Sequence, residues 1–296
     1  MIEILASLLV VIKSLFHPLT RHNSESSQRL MLVITRLFSA ILLVSVINPQ
    51  IKPPSNHLGF DRNIYPGDAA MGELRKTFSF TGYWLNAPPG ATSSSWMGKR
   101  KLLRDKGFGF LVLSNGRTYA QLKKGDPRAL GMADGKEAAR LAEVEGFPAK
   151  SILFLDQEEG GRLLPEQRSY LHAWVDAVIK AGYAAGVYCS GMASKEAGGA
   201  SVVTPRDIRE NAGGRKIEFF VANDECPPAS GCVLIAPRVE SNGVEFATVW
   251  QFAQTPRRKQ YTASCARTYA KDGSCYAGNI FVDLDVATSV DPSRGR

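Results

Sequence analysis

Histidine is scarce in this chain, and its scarcity limits the metal chemistry available. The 296 residues include four histidines, of which only His57 and His172 lie beyond residue 50. None of the five cysteines forms a C-x-x-C pair, the spacing typical of structural zinc sites. We therefore expect no metal ion and no other cofactor.

A glycine-rich phosphate loop is also missing, as are internal repeats and low-complexity tracts. A doubly wound nucleotide-binding fold places such a loop directly after its first strand, and residues 59–67 do not match one. Hydrophobic residues make up 44% of the chain and charged residues 22%, values typical of an ordinary globular core rather than of disorder.

The first fifty residues differ from the rest. An uncharged run, Leu37–Ile47, follows two arginines, a pattern typical of a secretory signal. Counting the apolar run from Leu30 makes a membrane anchor an alternative, and Met31 as the true start is another. We expect the following division: residues 1–50 a signal peptide or signal anchor, residues 51–56 a linker, and residues 57–292 one barrel domain.

The cysteines independently favour export. Cys226 and Cys232 are six residues apart, and Cys265 and Cys275 are ten apart. Both spacings suit small disulfide loops formed in an oxidising compartment. Cys189 lies inside an apolar segment and is expected to be a buried thiol.

The formal net charge is +8, of which +6 lies beyond residue 50. In an exported protein this balance favours contact with anionic wall polymers or lipid headgroups. For any one cluster, such as residues 257–259, a merely solvated basic face is the favoured interpretation. We expect a secreted or cell-envelope protein whose partner is a glycan or cell-wall polymer. We expect no nucleic acid partner, and membrane contact only through an uncleaved N-terminal segment.

Strand-like and helix-like segments alternate after the linker. Strands are predicted at 57–61, 81–86, 109–114, 152–158, 184–189, 217–222, 246–252 and 280–284. Helices are predicted at 69–77, 99–106, 134–146, 165–180 and 205–211, with Asp134 as an N-cap. Eight strands alternating with helices predict an α/β fold, a (β/α)8 TIM-type barrel or a variant with irregular late helices.

The fourth predicted strand ends abruptly in acids. Asp156 and Glu158 follow an apolar run, and because side chains alternate along a strand, both are expected on one face with Cβ atoms about 7 Å apart. Two carboxyls at the mouth of an apolar barrel suit acid-assisted glycosidic cleavage. Acids are common after strands, so a solvated loop beginning at Glu158 or Glu159 is an equally weighted alternative.

Other predicted strand ends carry acids, amides and aromatics. The chemistry of a TIM-type barrel lies at these ends, and aromatic side chains offer flat apolar faces to sugar rings. The acids, besides the fourth strand's, are Asp61, Asp224, Asp283 and Asp285. The expected substrate-binding residues are Tyr83, Trp84, Tyr188, Asp224, Trp250 and Gln251.

Five motifs occur in a recognisable order: residues 59–61 (Gly-Phe-Asp), 155–158 (Leu-Asp-Gln-Glu), 186–188 (Gly-Val-Tyr), 249–252 (Val-Trp-Gln-Phe) and 282–285 (Val-Asp-Leu-Asp). Together they resemble the glycoside-hydrolase-like family catalogued as domain of unknown function 1906. That family is distantly similar to the family 25 lysozymes. The resemblance covers roughly residues 57–292 and implies a lysozyme-type barrel that acts on or binds peptidoglycan-like glycans.

The resemblance also implies roles for individual acids. The second acid of Asp-x-Glu, here Glu158, is the proton donor, and the first, Asp156, orients the N-acetyl group of the substrate. Asp61 and Asp283 match the acids that line the same cleft. The family 25 enzymes carry an aromatic residue after the sixth strand, where this chain has Asn223 and Asp224.

Two function classes follow. The first is a secreted hydrolase of N-acetylated cell-wall glycans; because no acid is clearly placed as a nucleophile, cleavage assisted by the substrate's N-acetyl group is expected. The second is a non-catalytic carbohydrate-binding or wall-associated module on the same barrel. A third class, an amidase or peptidase, needs a metal or an activated nucleophile, and Cys189 has no evident partner.

Overall fold

The structure, a computed structural model, describes residues 56–296. The predicted signal or anchor segment and linker residues 51–55 lie outside the described residues. No helix among residues 56–296 is long and apolar enough to cross a membrane.

Strands and helices alternate through most of the described region. Its strands are β1 His57–Asp61, β2 Phe80–Trp84, β3 Gly109–Asn115, β4 Ile152–Asp156, β5 Ala184–Ser190, β6 Ala193–Lys195, β7 Ser201–Val203, β8 Ile217–Ala222, β9 Val249–Ala253, β10 Tyr276–Ala277, β11 Ile280–Phe281 and β12 Asp283–Ala287. Its α-helices are α1 Asp68–Thr77, α2 Arg100–Asp105, α3 Tyr119–Leu122, α4 Pro127–Val144, α5 Pro165–Lys180 and α6 Thr204–Glu210.

Eight of these strands close into a barrel in the order β1-β12-β9-β8-β5-β4-β3-β2. The α/β barrel prediction is therefore confirmed. After β8 the described chain forms short 3-10 turns, Val239–Asn242 and Ala266–Thr268, where a regular barrel has helices. These turns correspond to the irregular late helices that were expected.

The direction of the last barrel strand differs from a regular TIM barrel. β12 is antiparallel to both of its neighbours, β1 and β9, whereas the other neighbouring pairs in the barrel are parallel. The predicted eighth strand, residues 280–284, is wrong in extent: Ile280–Phe281 pairs with β10 in a separate hairpin, and the barrel strand is Asp283–Ala287. An antiparallel strand begins at the end of the barrel where its neighbour finishes, so no crossover helix is needed.

Helix α5 has the bounds predicted for it, but α4 begins earlier than expected. Asp126 caps α4 by accepting a hydrogen bond from the backbone N of Arg128 at 2.9 Å, and Pro127 occupies the first turn. Asp134 is therefore not an N-cap; it lies inside α4 and pairs with Arg117.

The two disulfides connect differently from the sequence prediction. The four expected cysteines are all bonded, but the pairs are Cys226–Cys265 and Cys232–Cys275. Each bond links the segment after β8 to the segment after β9, because the fold brings these two long connections together. Cys189 is a buried free thiol, as expected.

Candidate active site

A cavity of about 140 Å³ opens at the end of the barrel where the parallel strands finish. The four acids singled out from the sequence, together with Trp84, Tyr188 and Gln251, are among its walls. The lining residues are Asp61, Asn63, Trp84, Pro89, Leu113, Asp156, Glu158, Tyr188, Phe220, Gln251, Gln254 and Asp283. This convergence of carboxyl groups makes the cavity the candidate active site.

Asp61 and Asp283 form one side of the cavity. Asp61 ends β1, Asp283 begins β12, and the two are paired in register. The Gln251 amide nitrogen donates to Asp61 Oδ2 at 2.7 Å and lies 3.5 Å from Asp283 Oδ2. The backbone N of Thr255 donates to Asp283 Oδ1 at 2.6 Å. Two acids from strands of opposite direction are thus joined through one amide.

The environment of these two acids raises the pKa of both. Burial raises the pKa of Asp61 to about 6, although hydrogen bonds to Gln251 and Asp285 act in the opposite direction. Burial, followed by the charge of Asp61, raises the pKa of Asp283 well above its usual value.

A hydrogen-bond network fixes the orientation of the Gln251 amide. Its Oε1 accepts from the Tyr188 hydroxyl at 2.8 Å and from Gln254 Nε2 at 2.8 Å. Because the oxygen faces these two donors, the amide nitrogen faces Asp61. Tyr188 and Gln251 therefore act on the acids as well as lining the cavity.

Asp156 and Glu158 form the opposite wall, in different environments. β4 ends at Asp156, so the prediction that the strand continues to Glu158 is wrong. Asp156 is 5% exposed, and its Oδ1 has no hydrogen-bond partner. Glu158 lies in the following loop and is exposed.

Burial raises the pKa of Asp156 well above its usual value, and the charges of Glu158 and Asp61 add to this effect. Glu159 is not among the residues that line the cavity. It accepts hydrogen bonds from the backbone N of Tyr119 and from Gln167 Nε2 at 2.8 and 2.6 Å. Glu159 thereby connects the start of α3 to α5.

Trp84 ends β2 and contributes an aromatic wall to the cavity. It is 4% exposed, and its indole N–H has no hydrogen-bond partner. Buried polar groups in proteins are normally hydrogen-bonded. Trp84 Nε1 and Asp156 Oδ1 are therefore an unpaired donor and an unpaired acceptor in the walls of the same cavity.

Two aromatic residues expected in the cavity lie elsewhere. Tyr83 is fully buried outside the barrel lumen, where it packs on Phe147 and its hydroxyl donates to Glu145. Trp250 is also fully buried, and its indole N–H donates to the Asn223 carbonyl at 2.7 Å. Alternation along each strand turns these rings away from the side on which Trp84 and Gln251 lie.

Asp224 does not line the cavity either. It is fully buried and forms an ion pair with Arg258, whose guanidinium also lies 4.9 Å from the Tyr261 ring centroid. Asp224 thus connects the segment after β8 to the segment after β9. The expectation that it binds substrate directly is not met in this geometry.

Sequence reasoning missed several residues of the cavity. Asn63 Nδ2 donates to the Pro89 carbonyl at 2.9 Å and ties two loops together, and Gln254 orients Gln251. Gln254 lies two residues beyond the 249–252 motif and three residues after Gln251, which was the available signal. Within residues 56–296, no three His, Cys, Asp or Glu side chains are arranged to hold a metal ion.

A closed α/β barrel carries its chemistry at the ends of its parallel strands, and in this barrel those ends bring several carboxyl groups together. Residues 93–221 match the family described as the Rv2525c-like, glycoside hydrolase-like domain. The resemblance to a glycoside-hydrolase-like family is thereby confirmed. No curated protein matches the chain.

Solved structures include similar barrels. A protein from B. stearothermophilus is 18% identical with a TM-score of 0.51, and the match covers 78% of this chain and 95% of that one; this likeness supports the fold. The Tat-secreted protein Rv2525c of Mycobacterium tuberculosis is 12% identical with a TM-score of 0.47, covering 78% and 94%. A family 25 glycosyl hydrolase from Bacillus anthracis is 13% identical with a TM-score of 0.42, covering 79% and 89%.

Proposed function

We propose that the protein is an extracytoplasmic glycoside hydrolase acting on N-acetylated, peptidoglycan-like glycans of the cell wall. The observation that carries this proposal is the convergence of Asp61, Asp156, Glu158 and Asp283 on one cavity. Paired carboxyls are the groups that glycosidic cleavage requires, because one must donate a proton while another stabilises positive charge on the sugar.

Glu158 is the proton donor in this proposal. Its carboxyl is exposed without a ligand, and a bound glycan would cover it and exclude water. Removal of water from around a carboxyl favours its protonated form. Glu158 would then pass its proton to the leaving oxygen while the bond from that oxygen to the anomeric carbon breaks.

The unpaired groups of the cavity support the N-acetyl part of the proposal. An acetamido group has one N–H and one carbonyl oxygen, which match in kind the unpaired Asp156 Oδ1 and the unpaired indole N–H of Trp84. Both atoms are closed to solvent, so the two side chains would have to turn slightly toward a bound sugar to reach it. The acetamido oxygen would attack the anomeric carbon as the leaving group departs. Water would then release the sugar, with the Glu158 carboxylate accepting the proton of that water.

Asp61 is the acid best suited to stabilise the positive charge that develops on the sugar. With a pKa of about 6, it is ionised above that pH, and it lies in the cavity wall. The two disulfides support placement outside the cytoplasm, because such bonds persist in oxidising compartments.

A non-catalytic glycan-binding module is the second candidate. The observation that favours it is the pairing of Asp61 with Gln251 and of Asp283 with the Thr255 backbone. Acids satisfied by protein groups can shape a binding pocket without taking part in chemistry.

Incubation of the protein with purified peptidoglycan tests both candidates. Release of reducing ends is measured alongside co-sedimentation with the insoluble polymer, and cellulose serves as a polymer without N-acetyl groups. The hydrolase proposal predicts reducing ends from peptidoglycan and none from cellulose. Co-sedimentation without reducing ends would establish the binding module instead, and absence of both would reject a peptidoglycan-directed role.

A further inference from the structure

Asp285 is a buried acid of the barrel interior that does not line the cavity. It lies two residues after Asp283 on β12, so both side chains are on the inner face of that strand. Its register partners are Gly59 on β1 and Gln251 on β9. Asp285 is fully buried and belongs to the layer directly beneath Asp61.

Asp285 lacks the donors that a buried carboxylate needs. Among the described residues, no N–H and no hydroxyl group reaches either of its oxygens. The acid next to it in the barrel interior is Asp61, because the register partner of Asp285 on β1 is Gly59, two residues before Asp61 on the same face of the strand. Two carboxyls can share a hydrogen bond only if one of them carries a proton.

The surroundings decide which carboxyl holds that proton. Asp61 accepts a hydrogen bond from Gln251 at 2.7 Å and faces the cavity, so its negative charge is partly compensated. Asp285 has neither a donor nor access to solvent, and an unpaired buried charge is strongly unfavourable. Burial accordingly raises the pKa of Asp285 well above its usual value, with the charges of Asp61 and Asp283 adding to the effect.

We propose that Asp285 is a positioning residue, a neutral carboxylic acid that donates its O–H to Asp61 and keeps Asp61 the charged acid of the cavity. Asp61 then receives two hydrogen bonds, from Gln251 and from Asp285, which fix the plane of its carboxylate. The titratable groups that interact with Asp285 are Asp61 on β1 and Asp283 on β12. The charge of Asp285 also acts on the Tyr188 hydroxyl on β5. The effect on catalysis rests on the hydrolase proposal, whereas the protonation of Asp285 does not.

Infrared difference spectroscopy at pH 7.5 tests the protonation directly. The spectrum of wild type minus Asp285→Asn isolates the contribution of this side chain from the other buried acids. A protonated carboxylic C=O band in that difference is the expected result. A carboxylate band in its place would overturn the proposal, whether or not the protein cleaves glycans.

Two variants separate positioning from a merely structural role. Asp285→Asn keeps the size and one N–H donor, so Asp61 should titrate near its wild-type midpoint in carboxyl carbon NMR. Asp285→Ala removes the donor, and the midpoint of Asp61 should rise by about one pH unit. The acidic limb of the rate profile for reducing-end release should move with it. An unchanged midpoint in a folded Asp285→Ala protein, or equal shifts in both variants, would contradict the donor role.

Discussion

Asp61 and Asp283 face each other in register across the β1–β12 ladder, although their strands run in opposite directions. Asp61 is the last residue of β1 and Asp283 the first of β12. Reversal of β12 therefore brings both acids to the same rim, where the Gln251 amide lies between them. The second acid of this pair, Asp283, is contributed by the antiparallel strand and not by one of the seven parallel strands.

The raised pKa of Asp61 predicts that this acid destabilises the fold at neutral pH. Its pKa is about 6 in the folded protein and 3.8 as the reference value. Between these values the unfolded chain has released the proton while the folded protein still binds it, so stability falls as pH rises through this window. Asp61→Asn should therefore raise the free energy of unfolding at pH 7.5, by on the order of 1–3 kcal/mol, and much less at pH 3.5.

Urea unfolding of both proteins at the two pH values measures this difference. Asp126→Asn is a matched control, because Asp126 is exposed and asparagine caps a helix as well as aspartate does. If Asp61→Asn raised the free energy of unfolding as much at pH 3.5 as at pH 7.5, the effect would not be due to ionisation of Asp61.

The unpaired indole N–H of Trp84 predicts a specific loss of ligand affinity. Trp84→Phe keeps an aromatic wall but removes the donor, so the dissociation constant for an N-acetylated oligosaccharide should rise about tenfold. Titration calorimetry measures this change.

Trp174→Phe is the control for this prediction. Trp174 on α5 is equally buried and also has an indole N–H without a partner, but it does not line the cavity. Equal losses of affinity in the two variants would mean that Trp84 acts through stability rather than through a ligand contact.

The disulfide pairing predicts a distinctive tryptic map under non-reducing conditions. Cys226 and Cys232 stay in one peptide because no Lys or Arg lies between Lys216 and Arg238, whereas Cys265 and Cys275 are separated. The pairs Cys226–Cys265 and Cys232–Cys275 therefore predict one species of three linked peptides. A species of two peptides joined through Cys265 and Cys275 would support the small loops instead.

Much of the fold was predictable because its signals are local. The apolar segment of β4 and the 3.6-residue periodicity of α5 are independent of distant contacts. The direction of β12 was not predictable, because a strand's pattern carries no information on its orientation relative to its neighbours. The cysteine pairing depends on how two long connections meet, and four cysteines allow three connectivities.

The site was predictable to a similar extent. Acids at strand ends were correctly expected to converge, but the barrel strands are apolar on both faces, so the inward face could not be chosen by pattern. Consequently Trp84 and Gln251 lie in the cavity, whereas their neighbours Tyr83 and Trp250 do not. Asp285 and Asp283 are both acids on the same face of β12. They differ in depth, because Asp283 lines the cavity and Asp285 lies one layer deeper in the barrel.

The role of Glu158 as proton donor is tested most directly by reducing-end release from peptidoglycan with Glu158→Gln. Glutamine keeps the size and polarity of the side chain but cannot donate a carboxylic proton. Glu143→Gln, an exposed substitution on the outer helix α4, is the matched control. We predict loss of release by at least two orders of magnitude in Glu158→Gln, with co-sedimentation and the control unchanged. Release at the wild-type rate by a folded Glu158→Gln protein would contradict the account.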